Sequence, residues 1–179
     1  KKGPIEKGSI KQLTDQDGDG RYETATLFAK GLKYPTAVAC WDGGIFVGDA
    51  PNLLYMKDTT GDGIADQIRT VLSGFGSDKA GEAHLNSIRW GFDNRFHFST
   101  SLSGGNISIA DSDAPAQSVR NRGIILDPRN LKQMVLTSGA GQHGMSMDNW
   151  GRKFICSNSV PAQTLMYDDR YLANNPQFK

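Results

Sequence analysis

The residues with the clearest chemical potential form an acidic loop near the start of the chain. Four carboxylates occupy positions 1, 3, 5 and 9 of this loop, at Asp15, Asp17, Asp19 and Glu23, and glycine stands at position 6. Ca²⁺ binds about six to eight oxygen ligands, and alternate side chains of such a loop can point inward while glycine permits the turn. The backbone carbonyl of Arg21 at position 7 would add a ligand. This spacing therefore predicts a calcium site.

A second acidic loop follows at a constant offset of 43 residues. Its candidate ligands are Asp58, Thr60, Asp62, the carbonyl of Ile64, and Asp66. Threonine replaces one acid of the first loop, so we predict a weaker second site. Thr26 stands at position 12 of the first loop, where an EF-hand has glutamate, and strand patterns flank both loops. The alternative for both loops is an ion-free Asp/Gly turn between two strands.

Both acidic loops belong to a larger repeat of short strands. A strand–turn–strand element also occurs three times along the chain. Together these elements give four-stranded antiparallel units of about 40 to 55 residues, which is the length of one β-propeller blade. The predicted units are a partial blade at 9–32, a full blade at 35–75, a full blade at 86–138 with an insertion at 101–122, and a partial blade at 145–168.

The predicted fold is therefore all-β, with one domain over residues 1–179 that forms part of a β-propeller. Two full and two partial blades do not close a ring, because propellers have about four to eight blades. We expect the remaining blades of a longer chain to complete it. A β-sandwich is the alternative, but it gives no reason for an acidic loop to recur at a constant offset. Cys40 and Cys156 lie in strands of different blades, where we expect buried free thiols rather than a disulfide.

The order of the strands in a blade, named A to D from the channel outward, decides which loops share a face. The A–B and C–D turns lie on one face, and the B–C and D–A connections lie on the other. Both acidic loops are C–D turns, so calcium is expected to brace the blades rather than to take part in catalysis. The opposite face carries the lengthened segment 76–84, the insertion 101–122 and the segment 139–143. Loops that lengthen on one face often shape a binding site.

The three histidines differ in their predicted positions. His84 and His143 each immediately precede an A strand, so both would lie near the channel. They could share a metal ion, but no third ligand stands at a recognisable spacing, and the alternative is two loop histidines bonded to backbone groups. His97 lies between two phenylalanines of a B strand and is expected to be structural. The sequence has no GxSxG motif and no phosphate-binding loop, so neither serine hydrolysis nor nucleotide binding is predicted.

Composition argues against two classes of partner. The chain has 20 Lys and Arg against 19 Asp and Glu, a formal net charge of +1, so no overall field attracts nucleic acid. Its apolar stretches span only a few residues, far fewer than the roughly 20 that a transmembrane helix needs. We therefore expect no nucleic-acid partner and no transmembrane segment in this stretch.

Six motifs occur in order along nearly the whole chain, from Gly8 to about Pro176. They are PTAV at 35–38, DAP at 49–51, KDTTGDGIAD at 57–66, GFG at 74–76, HLNSIRWG at 84–91 and MDNWGRKF at 147–154. These motifs resemble the membrane-bound dehydrogenase domain of planctomycete and verrucomicrobial proteins, a propeller similar to the quinoprotein glucose/sorbosone dehydrogenases. The resemblance implies a propeller fold and a dehydrogenase-like activity with pyrroloquinoline quinone (PQQ) as cofactor.

The same resemblance implies a catalytic residue. In the quinoprotein sugar dehydrogenases, a histidine ahead of a strand–turn–strand element accepts the hydroxyl proton while hydride passes to the quinone. His84 and the segment 88–94 are similar to that element, so His84 is implied as the base. Phe92 and Asn94 replace the proline and glycine of the family's turn, which affects the shape of the turn more than the chemistry.

Two function classes follow from these observations. The first is a PQQ-dependent oxidoreductase that acts on a sugar or alcohol hydroxyl, with His84 as base. The second is a non-catalytic, calcium-stabilised propeller that binds a glycan or a protein partner. Calcium loops of this kind fit a periplasmic or secreted protein, because free Ca²⁺ is abundant enough there to fill weak sites.

Overall fold

The computed structural model describes residues 8–79, 81–167, 169–172, 174 and 177, which form an all-β domain. The strands are β1 (Gly8–Thr14), β2 (Thr24–Leu32), β3 (Ala37–Trp41), β4 (Gly44–Asp49), β5 (Asn52–Lys57), β6 (Gln67–Phe75), β7 (Asn86–Trp90), β8 (Phe96–Ser99), β9 (Gly105–Ile109), β10 (Gln117–Ser118), β11 (Arg122–Leu126), β12 (Met134–Ser138), β13 (His143–Met147), β14 (Lys153–Cys156) and β15 (Gln163–Thr164). A 3₁₀ turn at Gly81–Ala83 and a short helix, α1, at Asp169–Leu172 complete the elements. No helix in the described ranges has the length and apolar character needed to cross a membrane.

Within these ranges the strands form four antiparallel sheets. Their orders are β1-β2, β10-β9-β6-β5-β4-β3, β12-β11-β8-β7 and β13-β14-β15. The second and third sheets each contain a four-stranded meander, in which every strand pairs with the next one outward. The first sheet has two strands and the fourth has three, so both are smaller than the meanders between them. The fold is therefore an open, propeller-like arrangement rather than a closed barrel. Residue 168, the predicted end of the last partial blade, lies outside the described residues.

The insertion at 101–122 joins the sheet of the preceding blade, which the sequence did not predict. Its strand β9 pairs with β6, and β10 pairs with β9, so this sheet has six strands. Two glycines permit the contact. A Cβ on Gly74 would lie 2.0 Å from the carbonyl oxygen of Asn106, and a Cβ on Gly105 would lie 2.2 Å from that of Gly74. Because real side chains cannot approach backbone so closely, β6 and β9 need glycine at their crossing point.

The main hydrophobic core lies between the two four-stranded meanders. Its fully buried members include Phe46, Leu53, Leu72, Phe98, Ile107 and Ile124. The ring of Trp41 stacks on that of Trp90 with centroids 5.3 Å apart, and Phe96 meets both edge-on. Burial of each large apolar side chain contributes about 1.5–3 kcal/mol. This core therefore fixes β3 and β7 side by side, and the candidate site depends on that arrangement.

The burial predicted for the two cysteines is wrong. Both are free thiols in the structure, but Cys40 is exposed and Cys156 is half-buried. The strand β3 alternates half-buried and exposed side chains, and Val38 and Cys40 share its exposed face. The apolar run around Cys40 therefore indicated a strand correctly, but its period did not indicate which face a second sheet would cover.

Candidate functional site

A groove lies where three A strands begin. The strand β7 contacts both β3 and β13, and residues at or just before the start of these three strands line a cavity of about 680 Å³. The polar residues of its lining include Tyr34, Thr36, Glu82, Asn86, Ser87, Arg89 and His143. The groove therefore lies at the D–A and B–C end of the sheets, where the longer loops were predicted.

Three loops meet at this end through hydrogen bonds. The amide of Asn86 donates to the carbonyl oxygens of His84 and Gln142, each at 3.0 Å. The backbone N–H of Ser103 donates to the Ala83 carbonyl at 3.1 Å, and the Ser101 hydroxyl donates to the Gln142 carbonyl at 2.7 Å. The segments 76–84 and 139–143 and the start of the insertion therefore share one face, as the strand order predicts. Asn86 links two of them directly.

Tyr34 supplies the aromatic surface of the groove, and a buried carboxylate holds it there. Asp49, at the end of β4, is 6% exposed and accepts hydrogen bonds from the backbone N–H groups of Tyr34 at 2.7 Å and Lys33 at 3.1 Å. A Cβ on Gly81 would lie 2.1 Å from the Tyr34 ring, so the ring packs directly on that backbone. Sequence reasoning assigned Asp49 no role, although an acid at the end of an apolar strand was a usable signal.

His84 lies beside the groove, but it is not one of the described residues that line the groove. The side chain is 7% exposed, and its ring meets the Tyr34 ring edge-on with centroids 5.9 Å apart. The Nε2 atom lies 3.0 Å from the Lys79 carbonyl oxygen. Because a carbonyl can only accept, Nε2 carries a hydrogen, and in the neutral form of the ring Nδ1 has the lone pair. That Nδ1 atom is buried and has no hydrogen-bond partner within the described chain.

The other two histidines have different surroundings. His143 lines the groove and its Nε2 lies 2.7 Å from Asn158 Oδ1. Neither His84 nor His143 belongs to a group of three or more candidate metal ligands in the part of the chain that the structure describes. His97 is buried in β8 and its Nε2 lies 3.0 Å from Asp93 Oδ1, which fits the structural role that its position predicts.

The first acidic loop brings its predicted side-chain ligands together. One oxygen from each of Asp15, Asp17, Asp19 and Glu23 lies within 4.8 Å of the others, so this loop could hold a metal ion. Asp15 accepts backbone hydrogen bonds from Gly20 at 2.9 Å and Gly18 at 2.7 Å. These bonds lower the pKa of Asp15 below its ordinary value, which keeps the carboxylate ionised as a ligand.

The second loop has similar backbone hydrogen bonds, but its acids have different side-chain partners. Asp58 accepts from the backbone of Gly61 at 2.7 Å and Gly63 at 2.8 Å, which lowers its pKa. Asp66 accepts from the hydroxyl and backbone of Thr59, which lowers its pKa as well. Among the described residues, its acids do not form a cluster like that of the first loop. Thr60 replaces an acid of the first loop, so it adds no negative charge. Its hydroxyl donates a hydrogen bond to Asp58.

The first acidic loop lies far from the groove. It connects β1 to β2, and the nine residues of β2 separate it from Tyr34, a span of about 30 Å in an extended strand. Ile10 of β1 also lines the groove and is five residues before Asp15, a span of about 17 Å. A metal ion in the loop therefore cannot contact a ligand in the groove, and its contribution there would be to brace the strands.

The charge of the groove does not fit PQQ, which carries three carboxylates. The described lining residues present one guanidinium, that of Arg89, and one carboxylate, that of Glu82. The Nε atom of Arg89 donates to the Met145 carbonyl at 3.2 Å. Because a tricarboxylate needs several cations as partners, these residues by themselves do not form a site for it, and we assign no reaction step to such a cofactor here.

One family match covers the chain. Residues 1–179 match the family described as Domain of unknown function (DUF7133). No curated protein and no solved structure shows significant similarity to the chain.

Proposed function

The chain belongs to the DUF7133 family over its whole length, and we propose that this member binds a hydroxyl-rich ligand, a sugar or glycan, in the groove at the start of β3, β7 and β13. The observation that carries the proposal is the composition of the groove. Its aromatic ring, Tyr34, is 57% exposed and lies beside the uncharged polar side chains of Thr36, Asn86 and Ser87.

Each part of this lining matches a part of a sugar. An aromatic ring packs against the C–H face of a pyranose, and the hydroxyl oxygens of Thr36 and Ser87, which donate their own hydrogens within the chain, can accept hydrogen bonds from its hydroxyls. Glu82 and Arg89 bring opposite charges, which leaves the groove without excess charge. A neutral ligand is therefore favoured over a polyanion. The hydrogen bonds of Asp49 to the backbone and of Asn86 between loops hold the groove in shape before a ligand binds.

We also propose that the first acidic loop binds Ca²⁺. The support is the set of four clustered carboxylates, because hard oxygen donors suit Ca²⁺ better than a transition metal. The ion would stabilise the β1–β2 hairpin without contacting the sugar. The second loop, with Thr60 in place of an acid, would bind more weakly. A periplasmic or secreted location is proposed on the same ground, since free Ca²⁺ is abundant there.

Oxidation of a bound sugar or alcohol hydroxyl is the second candidate function. The observation that favours it is the lone pair on His84 Nδ1, which has no partner among the described residues and could accept a hydroxyl proton. The ring would first have to turn from the Lys79 carbonyl towards the groove. The cofactor-binding cations would have to come from the remaining blades of a longer chain.

The decisive experiment uses the full-length protein and a panel of neutral sugars, with binding measured by calorimetry. Tyr34→Ala should abolish binding, Tyr34→Phe should retain most of it, and Tyr22→Ala, an exposed tyrosine of the distant acidic loop, should have no effect. Dye reduction with added PQQ and calcium then separates the two functions. Binding without turnover supports the non-catalytic propeller. If no sugar binds, the groove proposal fails and a protein partner becomes the better hypothesis.

A further inference from the structure

The two sides of the groove differ in chemistry. The strand β7 lies between them, because it contacts β3 on one side and β13 on the other. Tyr34 precedes β3, and Glu82 follows Gly81, on whose backbone the Tyr34 ring packs. Arg89 reaches the other way, since its Nε donates to the Met145 carbonyl of β13 at 3.2 Å. The aromatic ring and the carboxylate of the groove therefore share the β3 side, and the guanidinium lies on the β13 side.

Two hydroxyl groups of the groove have already donated their hydrogens. The amide nitrogen of Asn86 donates to two backbone carbonyl oxygens, which leaves Asn86 Oδ1 to accept the hydrogen of Ser87 at 2.6 Å. The Thr36 hydroxyl donates to the Leu85 carbonyl, which can only accept. The hydroxyl oxygens of Ser87 and Thr36 therefore offer lone pairs to a ligand but no hydrogen.

The carboxylate of Glu82 adds further acceptors on the β3 side. Glu82 is exposed, and it forms no ion pair within the described part of the chain. An ionised carboxylate has about four lone-pair sites and no hydrogen to donate. The hydroxyls of Tyr34 and Ser9, which also line the groove, can donate as well as accept. Acceptors therefore outnumber donors on this side, and one of them carries a negative charge.

We propose that the groove prefers an amino sugar, with the protonated amine of the sugar beside Glu82 and Tyr34. The inference rests on the sugar-binding function proposed above and narrows its ligand class. An ammonium group donates three hydrogen bonds and carries the charge opposite to that of Glu82. The negative face of the Tyr34 ring attracts the same cation. An N-acetylated sugar fits less well, because its amide is uncharged and has one N–H.

The guanidinium of Arg89 gives the ligand a direction. It repels an ammonium group, so the amine is favoured on the β3 side, away from the β13 side where Arg89 is held. Its remaining N–H groups can donate to the hydroxyl oxygens of the sugar. Both charged groups are exposed, so each contributes modestly. The expected preference for an amine is therefore a matter of several-fold rather than of many orders of magnitude.

The test measures the affinity of the full-length protein for glucosamine, glucose, N-acetylglucosamine and glucuronate by calorimetry. The amine of glucosamine titrates close to an α-amino group, at about pH 7.7–8.0, so most of it is protonated at about pH 7. We expect glucosamine to bind about fivefold tighter than glucose, from one solvated ion pair and one cation–π contact. N-acetylglucosamine and glucuronate should lack this advantage.

Three variants identify the groups responsible through the ratio of the glucosamine and glucose affinities. Glu82→Gln keeps the size of the side chain and removes its charge, so the ratio should fall to about twofold or less. Arg89→Gln should raise the ratio, because it removes a repulsion. Asp113→Asn changes an exposed acid outside the described lining and should leave the ratio unchanged.

The outcomes separate this inference from the function on which it rests. Glucose binding that depends on Tyr34, together with no preference for glucosamine, overturns the inference and leaves the sugar site in place. The same ratio in the wild type and in Glu82→Gln also overturns it, because the carboxylate then does not select the amine. If neither glucose nor glucosamine binds, the sugar-binding function fails and the inference fails with it.

Discussion

Replacement of Asp49 by alanine removes the acceptor of two backbone hydrogen bonds that hold Tyr34 at the groove. The carboxylate is 6% exposed and accepts from Tyr34 and Lys33 at 2.7 and 3.1 Å. Hydrogen bonds to a charged group contribute about 1.5–3 kcal/mol each. Both donors belong to exposed residues that water can reach after the substitution, so the lower end of that range applies. We expect Asp49→Ala to lower the free energy of unfolding by about 3 kcal/mol.

The measurement is urea denaturation with a parallel thermal scan. For a domain of this size, about 3 kcal/mol corresponds to a decrease in Tm of roughly 6–12 °C. Asp49→Asn keeps one oxygen acceptor but presents an amino group to the second N–H, so its effect should fall between those of the wild type and alanine. Sugar affinity in the groove should fall with both variants, because Tyr34 is no longer held.

The matched control is Asp42→Asn, which removes the charge and tolerates the positive φ of 48° at this position. This carboxylate is 73% exposed and pairs with Lys57 at 3.4 Å, and surface pairs of this kind contribute about 0–1 kcal/mol. If Asp49→Ala is no more destabilising than Asp42→Asn, the two backbone hydrogen bonds do not stabilise the start of β3, and the account of how Tyr34 is positioned is refuted.

Four further predictions test the other sites. Millimolar Ca²⁺ should raise Tm, because a ligand that binds only the folded state stabilises it. Asp17→Ala should remove most of that rise and the exposed-loop control Asp113→Ala should not, while an unchanged wild-type curve would leave only an ion-free turn. If the protein oxidises sugars, His84→Ala should cut turnover by about 10²–10⁴-fold, and full activity in the variant excludes His84 as the base. Gly81→Ala should weaken sugar binding by displacing the Tyr34 ring, which affinity equal to the wild type would contradict. Burial, with a smaller contribution from the charge of Lys153, lowers the pKa of His97 despite Asp93. Unfolded histidine binds a proton near pH 6.5, so stability should fall as pH decreases below about 6.5, and His97→Gln should flatten this fall in urea denaturation. An equal slope in the variant would exclude His97 as its cause.

The sequence predicted most of the strands and the clustering of the first loop's carboxylates, because both depend on neighbours along the chain. A strand needs only alternating side chains between turn residues, and the spacing of acids around Gly18 already brings their carboxylates together. Strand order then placed the segments 76–84 and 139–143 on one face. The hydrogen bonds of Asn86 show that they meet there.

Only the tertiary structure decided which edges and faces meet. Local pattern did not indicate that the strand at Gly105–Ile109 pairs with the strand at Gln67–Phe75, because that contact depends on two glycines 31 residues apart that allow close approach. The direction of the His84 ring is set by the Lys79 carbonyl and Tyr34, and the exposure of Cys40 by which face of its strand another sheet covers. The groove likewise arises where the starts of three A strands pack together. Such contacts join residues distant in sequence, so the periodicity within each strand does not contain them.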